Sequence, residues 1–465
     1  MAAPDAAIES LTTLLAQAPD HTEARTALID LYLQTAQPDH AAAWLERWQS
    51  EANDWSTERD IRLRWAQVME QRGDRQQAES MLTALQRESP THLPLIEALA
   101  AFYRRQHASV ALSALVDRAS EDLRQAVVRG PADAALWQGQ IRFLAAEGRA
   151  ERAQVMAAAA TALGIDLPTQ AALCGPEGTL PGARQRALDA VLDPQLFPPS
   201  VSPALRQLLR LTTRAFERAI PFDLKALQAT LVRGAGDLLA DELQTLRQWL
   251  PEQDIEVWST SVLPDACLPL AARPLRLLLG TSLRQHPEPA VRLFALLRGA
   301  ACARAGLAVA LYSAEDDLAH TVASLIHHHC PTFVPAGMQP GSLAPLGKKL
   351  RRWLERRDRA EVAEAAAACA ADPNFQVQHI GVGVRDYANR VALLATGNLA
   401  AGLHTLLHIA RVPVPNALPG RVDAMRQSPE AWSLFNFACS DAYIEARRHA
   451  APPPPPSVAT VTEGR

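Results

Sequence analysis

Imidazoles, thiols and carboxylates are the side chains that could give this chain a chemistry, and their spacing decides what chemistry is open to it. His404 and His408 stand four apart in His404-Thr405-Leu406-Leu407-His408, which puts both rings on one face of a helix, as a metal-binding pair requires. No Glu lies between them, so the pair is expected to serve packing or the surface. His327-His328-His329-Cys330 gathers three imidazoles and a thiol, the ligands that zinc and copper favour. Adjacent residues of regular structure point in different directions, so three consecutive His cannot converge on one ion. Cys174, Cys267, Cys302, Cys330, Cys369 and Cys439 form no C-x-x-C pair and are expected to be reduced, mostly buried thiols.

Nucleotide-binding and hydrolase signatures are absent. There is no G-x-x-x-x-G-K-[ST], no G-x-G-x-x-G after a strand and no G-x-S-x-G turn, the short motifs that cradle phosphate or expose a nucleophile. Gly381-Val382-Gly383 is a lone G-x-G, expected to mark a turn before the helix that carries Tyr387. Glu315, Asp316 and Asp317 follow Ser313, as expected at a helix N-terminus, where Ser caps and acids complement the dipole. Lys348 to Arg359, KKLRRWLERRDR, is a dense basic helix; a solvated face accounts for it, and an acidic protein partner comes next. The net charge of -4 and a pI near 6.4 leave no overall cationic field for nucleic acid.

The elements that would position these residues are mostly helices. Apolar residues make up 48% of the chain and aromatics 5%, so Ala and Leu, both strong helix formers, carry the core. The N-terminal MAAPDAAIESLTTLL has acids where a secretion signal needs positive charge. The most apolar long stretch, Val291 to Tyr312, is broken by Arg292, Arg298 and Arg304, which favours a buried helix over a membrane span. A cytoplasmic location is the default expectation.

Residues 1 to 170 show apolar positions at three- and four-residue spacing with short Pro, Gly and Asp breaks, the pattern of successive antiparallel helices. In Trp65 to Pro90, Gly73-Asp74 marks a turn, Ala78 follows five residues after the Gly, and Pro90 closes the segment. Trp137 to Gly164 repeats this with Gly148 and Ala153; Thr22 to Asn53 does so with Tyr32, Ala41 and a Gln37-Pro38-Asp39 turn. Leu93 to Arg129 has room for a further hairpin, with Phe102 and Tyr103 on its packing face. These segments resemble the tetratricopeptide repeat, whose stacked hairpins build a concave surface for peptides or partner proteins.

Residues 171 to 202 are rich in Gly and Pro and are expected to link to a second domain, 203 to 449. Two short strands are expected there, Ile255 to Thr260 and Leu275 to Gly280. The order strand, loop, strand, polar turn, buried helix over Asp254 to Gly306 resembles the zinc metallopeptidases of the HtpX and prenyl-protease type. In that family H-E-x-x-H on the buried helix binds zinc, and a Glu on a later helix completes the site. Here the matching helix, Phe294 to Cys302, has neither His nor Glu. In the later stretch Arg385-Asp386-Tyr387-Ala388-Asn389, Arg385 stands at the ligand place and Asn389 at that of an Asp. A guanidinium cannot bind a cation, so the resemblance implies a peptidase fold without its chemistry. Residues 450 to 465, with Pro452 to Pro456, are expected to be a polyproline or disordered tail.

The expected fold is therefore mainly α: a helical-hairpin solenoid of tetratricopeptide type, then a mostly helical α+β domain with a small sheet. The expected function is non-catalytic, a protein-protein interaction scaffold without cofactor or metal, whose partner is a protein and not a nucleic acid or a membrane. Arg25, Tyr32, Arg62 and Arg142, on the first helix of each hairpin, are the candidate groove residues. The alternative is a metal-dependent hydrolase that draws ligands from His404, His408 and His327 to His329.

Overall fold

The computed structural model describes residues 4–51, 54–167, 180, 193–232, 238–250, 254–270 and 274–450. Cys174, most of the expected 171–202 linker and the proline-rich tail lie outside these residues. The chain divides into two compact units, Met1–Arg149 and Ala150–Arg465; the first boundary expected from sequence was near 170.

The first unit is a run of helices: α1 (Pro4–Gln17), α2 (Thr22–Gln34), α3 (Pro38–Glu51), α4 (Trp55–Arg72), α5 (Arg75–Glu88), α6 (Leu93–Arg105), α7 (Ser109–Arg129) and α8 (Ala134–Ala146). Side chains start several of them: Asp54 accepts the Thr57 N–H at 2.9 Å and Asp133 that of Leu136 at 3.0 Å, satisfying donors that a helix N-terminus leaves open. The hairpins are closed by one turn used four times. The N–H of Gln37, Asp74, Ala108 and Arg149 donates to the carbonyl of Tyr32, Met69, Tyr103 and Leu144, at 2.8, 2.9, 3.0 and 2.8 Å. Each turn passes through a left-handed residue, Ala36, Gly73, His107 or Gly148, the helix-ending geometry in which an N–H reaches back five residues. Two of the four are the glycines that sequence marked. Ala41 and Ala78 are fully buried where the helices cross, and Leu28, Ile29, Leu45 and Ile61 form the first layer of core. Ala66, Leu82, Leu99 and Phe102 form the next. This unit is the expected solenoid.

The second unit is the expected mostly helical α+β domain. Its elements include α9 (Ala150–Ala162), α10 (Pro203–Ala219), α11 (Ala240–Trp249), α12 (Pro289–Arg304), α13 (Glu315–His329), α14 (Pro340–Trp353), α15 (Arg359–Ala371), α16 (Ile380–Thr396), α17 (Leu399–Ile409), α18 (Leu418–Gln427), α19 (Pro429–Ala438) and α20 (Asp441–Ala450). The strands are β1 (Thr230–Leu231), β2 (Ile255–Thr260), β3 (Cys267–Leu270) and β4 (Leu275–Gly280), in the order β1-β2-β4-β3. β2 and β4 pair in parallel, Val257 beside Leu277, while β1 and β3 flank them antiparallel. The two expected strands have their expected bounds. β3 escaped notice because it contains Pro269, which lacks an N–H to give and is tolerated only at a sheet edge.

Helix α12 covers the sheet, and the Cys267 thiol donates to its Ala295 carbonyl at 3.1 Å. Helix α16 packs on α12, with Tyr387 fully buried and stacked on Phe197 at 3.8 Å. Gly381 and Gly383 belong to the first turn of α16 rather than to a turn before it. Helices α13 and α14 cross closely at Gly347: a Cβ added there would stand 2.3 Å from the Ser324 carbonyl oxygen, so no other residue lets these backbones meet.

Candidate functional site

A groove of about 600 Å³ runs over the first unit, walled by α2, α4 and α6, the first helices of three successive hairpins. These are the helices that line the concave side of a stacked-hairpin array. Its polar lining is Asp30, Gln34, Arg64, Gln67, Glu70, Gln71 and Arg105. The charges are already paired from helix to helix. Arg64 grips Asp30 through Nε and Nη2 at 2.8 and 3.1 Å, and Arg105 grips Glu70 at 2.8 and 2.7 Å. Arg142 of α8 continues the series toward Glu97 of α6, more loosely, at 3.7 Å. Gln71 donates to the Leu33 carbonyl at 2.7 Å. Between these fixed pairs lie Gln34 and Gln67, whose amides offer both a donor and an acceptor to whatever enters.

The four residues expected to line the groove are placed differently from one another. Arg25 is 7% exposed; it donates to the Pro19 carbonyl, pairs with Glu51 at 2.8 Å and lies over the Trp48 ring. Tyr32 is 8% exposed and stacks on His40. Both hold their hairpin together. Arg62 turns to the second helix of its hairpin, bonding Glu88 at 2.9 Å beneath Trp55. Only Arg142 lies in the helix-to-helix series that also spans the groove. None of the four lines the groove itself. Arg62 and Arg64 differ by two residues, about 200° around the axis. Removing the core positions from each helix would have left Asp30 with Gln34, and Arg64 with Gln67 and Gln71, at the spacing of a single face.

In the second unit the residues singled out for chemistry fall into three separate clusters. The first joins α12, α16 and α19. Arg298, 4% exposed, donates from Nε to Asn389 Oδ1 at 2.7 Å and from Nη2 to Glu430 Oε2 at 2.8 Å. Asn389 Nδ2 donates to the same Oε2 at 3.2 Å, and Arg385 Nε lies 3.1 Å from Oε1. Burial alone would raise the Glu430 carboxyl, but Arg298 and Arg385 outweigh it and hold it below the usual range. A second buried ion pair, Arg292 with Glu242 at 2.8 Å, ties α12 to α11. Arg292 and Arg298, two of the arginines that interrupt this apolar helix, are thus neutralised within the fold.

The second cluster lies at the C-terminal end of β4. His408 Nε2 is 2.8 Å from Ser282 Oγ and 3.2 Å from Asp265 Oδ1, and Arg411 donates to Asp265 Oδ2 at 2.9 Å. One nitrogen faces both the hydroxyl and the carboxylate. It cannot accept the Ser282 proton while donating to Asp265, whereas a nucleophile relay gives each its own nitrogen. His404 points away toward Glu288 at 3.6 Å. The third cluster is the His run. His327 is buried with Nδ1 3.0 Å from the Phe333 carbonyl, and His328 and His329 meet edge to face. Among the described residues no group of three or more His, Cys, Asp or Glu is arranged to hold a metal ion. Burial pushes the Cys267, Cys302 and Cys369 thiols up to about 12, far from the thiolate range of a reactive cysteine. No helix of the described residues is long and apolar enough to cross a membrane.

A family model described as tetratricopeptide repeat matches residues 2–60, which spans α1 to α3 and the start of α4. No curated protein and no solved structure matches the chain. The match and the recurring turn together support a role in protein-protein interaction for the first unit.

Proposed function

We propose that the chain is a non-catalytic interaction scaffold whose first unit binds a segment of a partner protein in the groove of α2, α4 and α6. The observation that carries this reading is the lining itself. Fixed ion pairs neutralise the charges, and uncharged Gln34 and Gln67 remain to bond the donors and acceptors of a peptide backbone. Such recognition depends little on salt. In the full chain, Gln34→Ala with Gln67→Ala should leave the helical circular dichroism unchanged and abolish co-purification of partners that the native chain retains at about 0.5 M salt, where exposed charge attraction is screened beyond a few ångströms. Retention of the same partners by the double variant would refute the groove as the binding site.

We propose further that the second unit is a pseudo-peptidase-like domain that adds a second interaction surface. Two observations support this. The helices that the metallopeptidase resemblance assigns to the metal site, α12 and α16, pack directly on each other. Arg385 and Asn389, which the resemblance sets at the ligand and Asp places, share Glu430 with Arg298 of α12, an arrangement in keeping with a fold that has no use for a metal there.

A further inference from the structure

The second unit also carries a concentration of cations that neither the groove nor the buried clusters use. Helix α10 presents Arg210, Arg214 and Arg218 at four-residue spacing on one exposed face. They border a cleft of about 790 Å³ whose opposite wall is the Trp353–Asp358 segment at the end of the basic run. Arg214 pairs with Glu355 at 2.7 Å, and Arg357 with Glu355 and Asp358 at 2.9 and 3.4 Å. Arg210 and Arg218 have no carboxylate partner among the described residues. The floor is apolar, made by Leu211, Ala215 and Leu354 beside a half-buried Trp353.

In sequence the basic run is accounted for by a solvated helix face, which needs no second wall. The fold supplies one, from a helix far earlier in the chain, which sets Arg210, Arg214 and Arg218 opposite Glu355, Arg357 and Asp358. In a chain of net charge -4, two exposed arginines without a carboxylate partner beside one cleft are a local excess of positive charge.

We propose that this cleft docks an acidic segment of a partner protein, with carboxylates on Arg210 and Arg218 and one apolar side chain against Trp353 and Leu354. Three features favour a peptide over a nucleic acid or an anionic membrane. Glu217, Glu355 and Asp358 stand among the cations, where a continuous track of phosphates would meet them. The cleft holds a few side chains and is not a stripe. The overall negative charge repels an extended polyanion at range. This site is separate from the groove of the first unit and does not depend on it.

The test uses the full chain and a fluorescein-labelled peptide of about twelve residues, Glu and Asp with one central Leu, followed by anisotropy from about 50 to 300 mM salt. The expected result is saturable binding that weakens about tenfold over that range. Arg210→Glu with Arg218→Glu, and the milder Arg210→Gln with Arg218→Gln, should each cost about tenfold or more at the lower salt, with helical circular dichroism unchanged because both side chains are exposed. Trp353→Phe should remove the change in indole emission on binding. The proposal is overturned if the native chain does not bind the peptide, if the Gln and Glu variants bind as it does, or if a DNA duplex or phosphatidylserine vesicles bind more tightly than the peptide.

Discussion

At the scale of single residues, Glu430 decides most. It balances two arginines, one almost wholly buried, so removing its charge leaves Arg298 in a dry setting without an anion. Breaking a buried pair from one side costs about 3 kcal/mol or more, and Glu430→Gln should lower the denaturant-extrapolated stability by that order at pH 7. The sign of the pH dependence follows from a folded-state pKa held below its ordinary value of 4.5. The stabilisation is complete above that value and is lost as pH falls through the lower, folded value. Urea unfolding at neutral pH and near pH 3 should therefore show the gap between native chain and variant closing on the acid side, whereas a constant gap would mean that Glu430 does not carry the charge balance. Arg385 and Asn389 were picked out in sequence through the resemblance alone. Their partner was not, because Glu430 lies on another helix and nothing in its own neighbourhood marks it.

At the scale of elements, the recurring turn is the most informative feature. Gly73 and Gly148 adopt the left-handed conformation freely, but Ala36 and His107 hold the same place with a Cβ, at φ of 55° and 54°, where an L side chain costs about 1–2 kcal/mol. Ala36→Gly and His107→Gly should each raise stability by roughly 0.5–1 kcal/mol, the relief of strain exceeding the entropy that glycine loses. Gly73→Val should lower it by about 1–2 kcal/mol. Thermal melts of the three variants check this ordering, and destabilisation by all three would show that the turns are not equivalent. The glycine-marked hairpins were visible in sequence for the same reason that these two were faint: chemistry advertises a left-handed turn only where glycine fills it. Strand β3 was hidden in a like manner, since Pro269 argues against a strand until the sheet edge that excuses it is known.

At the scale of the molecule, the order of a hairpin solenoid followed by a helical domain with a small sheet was legible from periodicity, because helix spacing and alternation survive without knowledge of contacts. Which helix face looks into the groove was not, since Arg62 and Arg64 are equally plausible until the packing of successive hairpins fixes the phase. The two proposed surfaces differ in kind: neutral amides are what the first leaves free to bind, and the arginines Arg210 and Arg218 are what the second leaves free. Raising salt should therefore release partners held by the second unit while leaving those held in the groove, and capture at about 0.1 and 0.5 M salt separates the two classes. Loss of every partner at the higher salt would contradict an amide-lined groove. The central claim, that the concave side of the first unit is where a partner protein lies, is tested most directly by a photo-crosslinking amino acid placed at position 67 in the groove or at position 110, where Val110 of α7 is 84% exposed. In cells expressing the full chain, discrete adducts are predicted from position 67 and not from position 110. No adduct from position 67, or the same adducts from both positions, would contradict it.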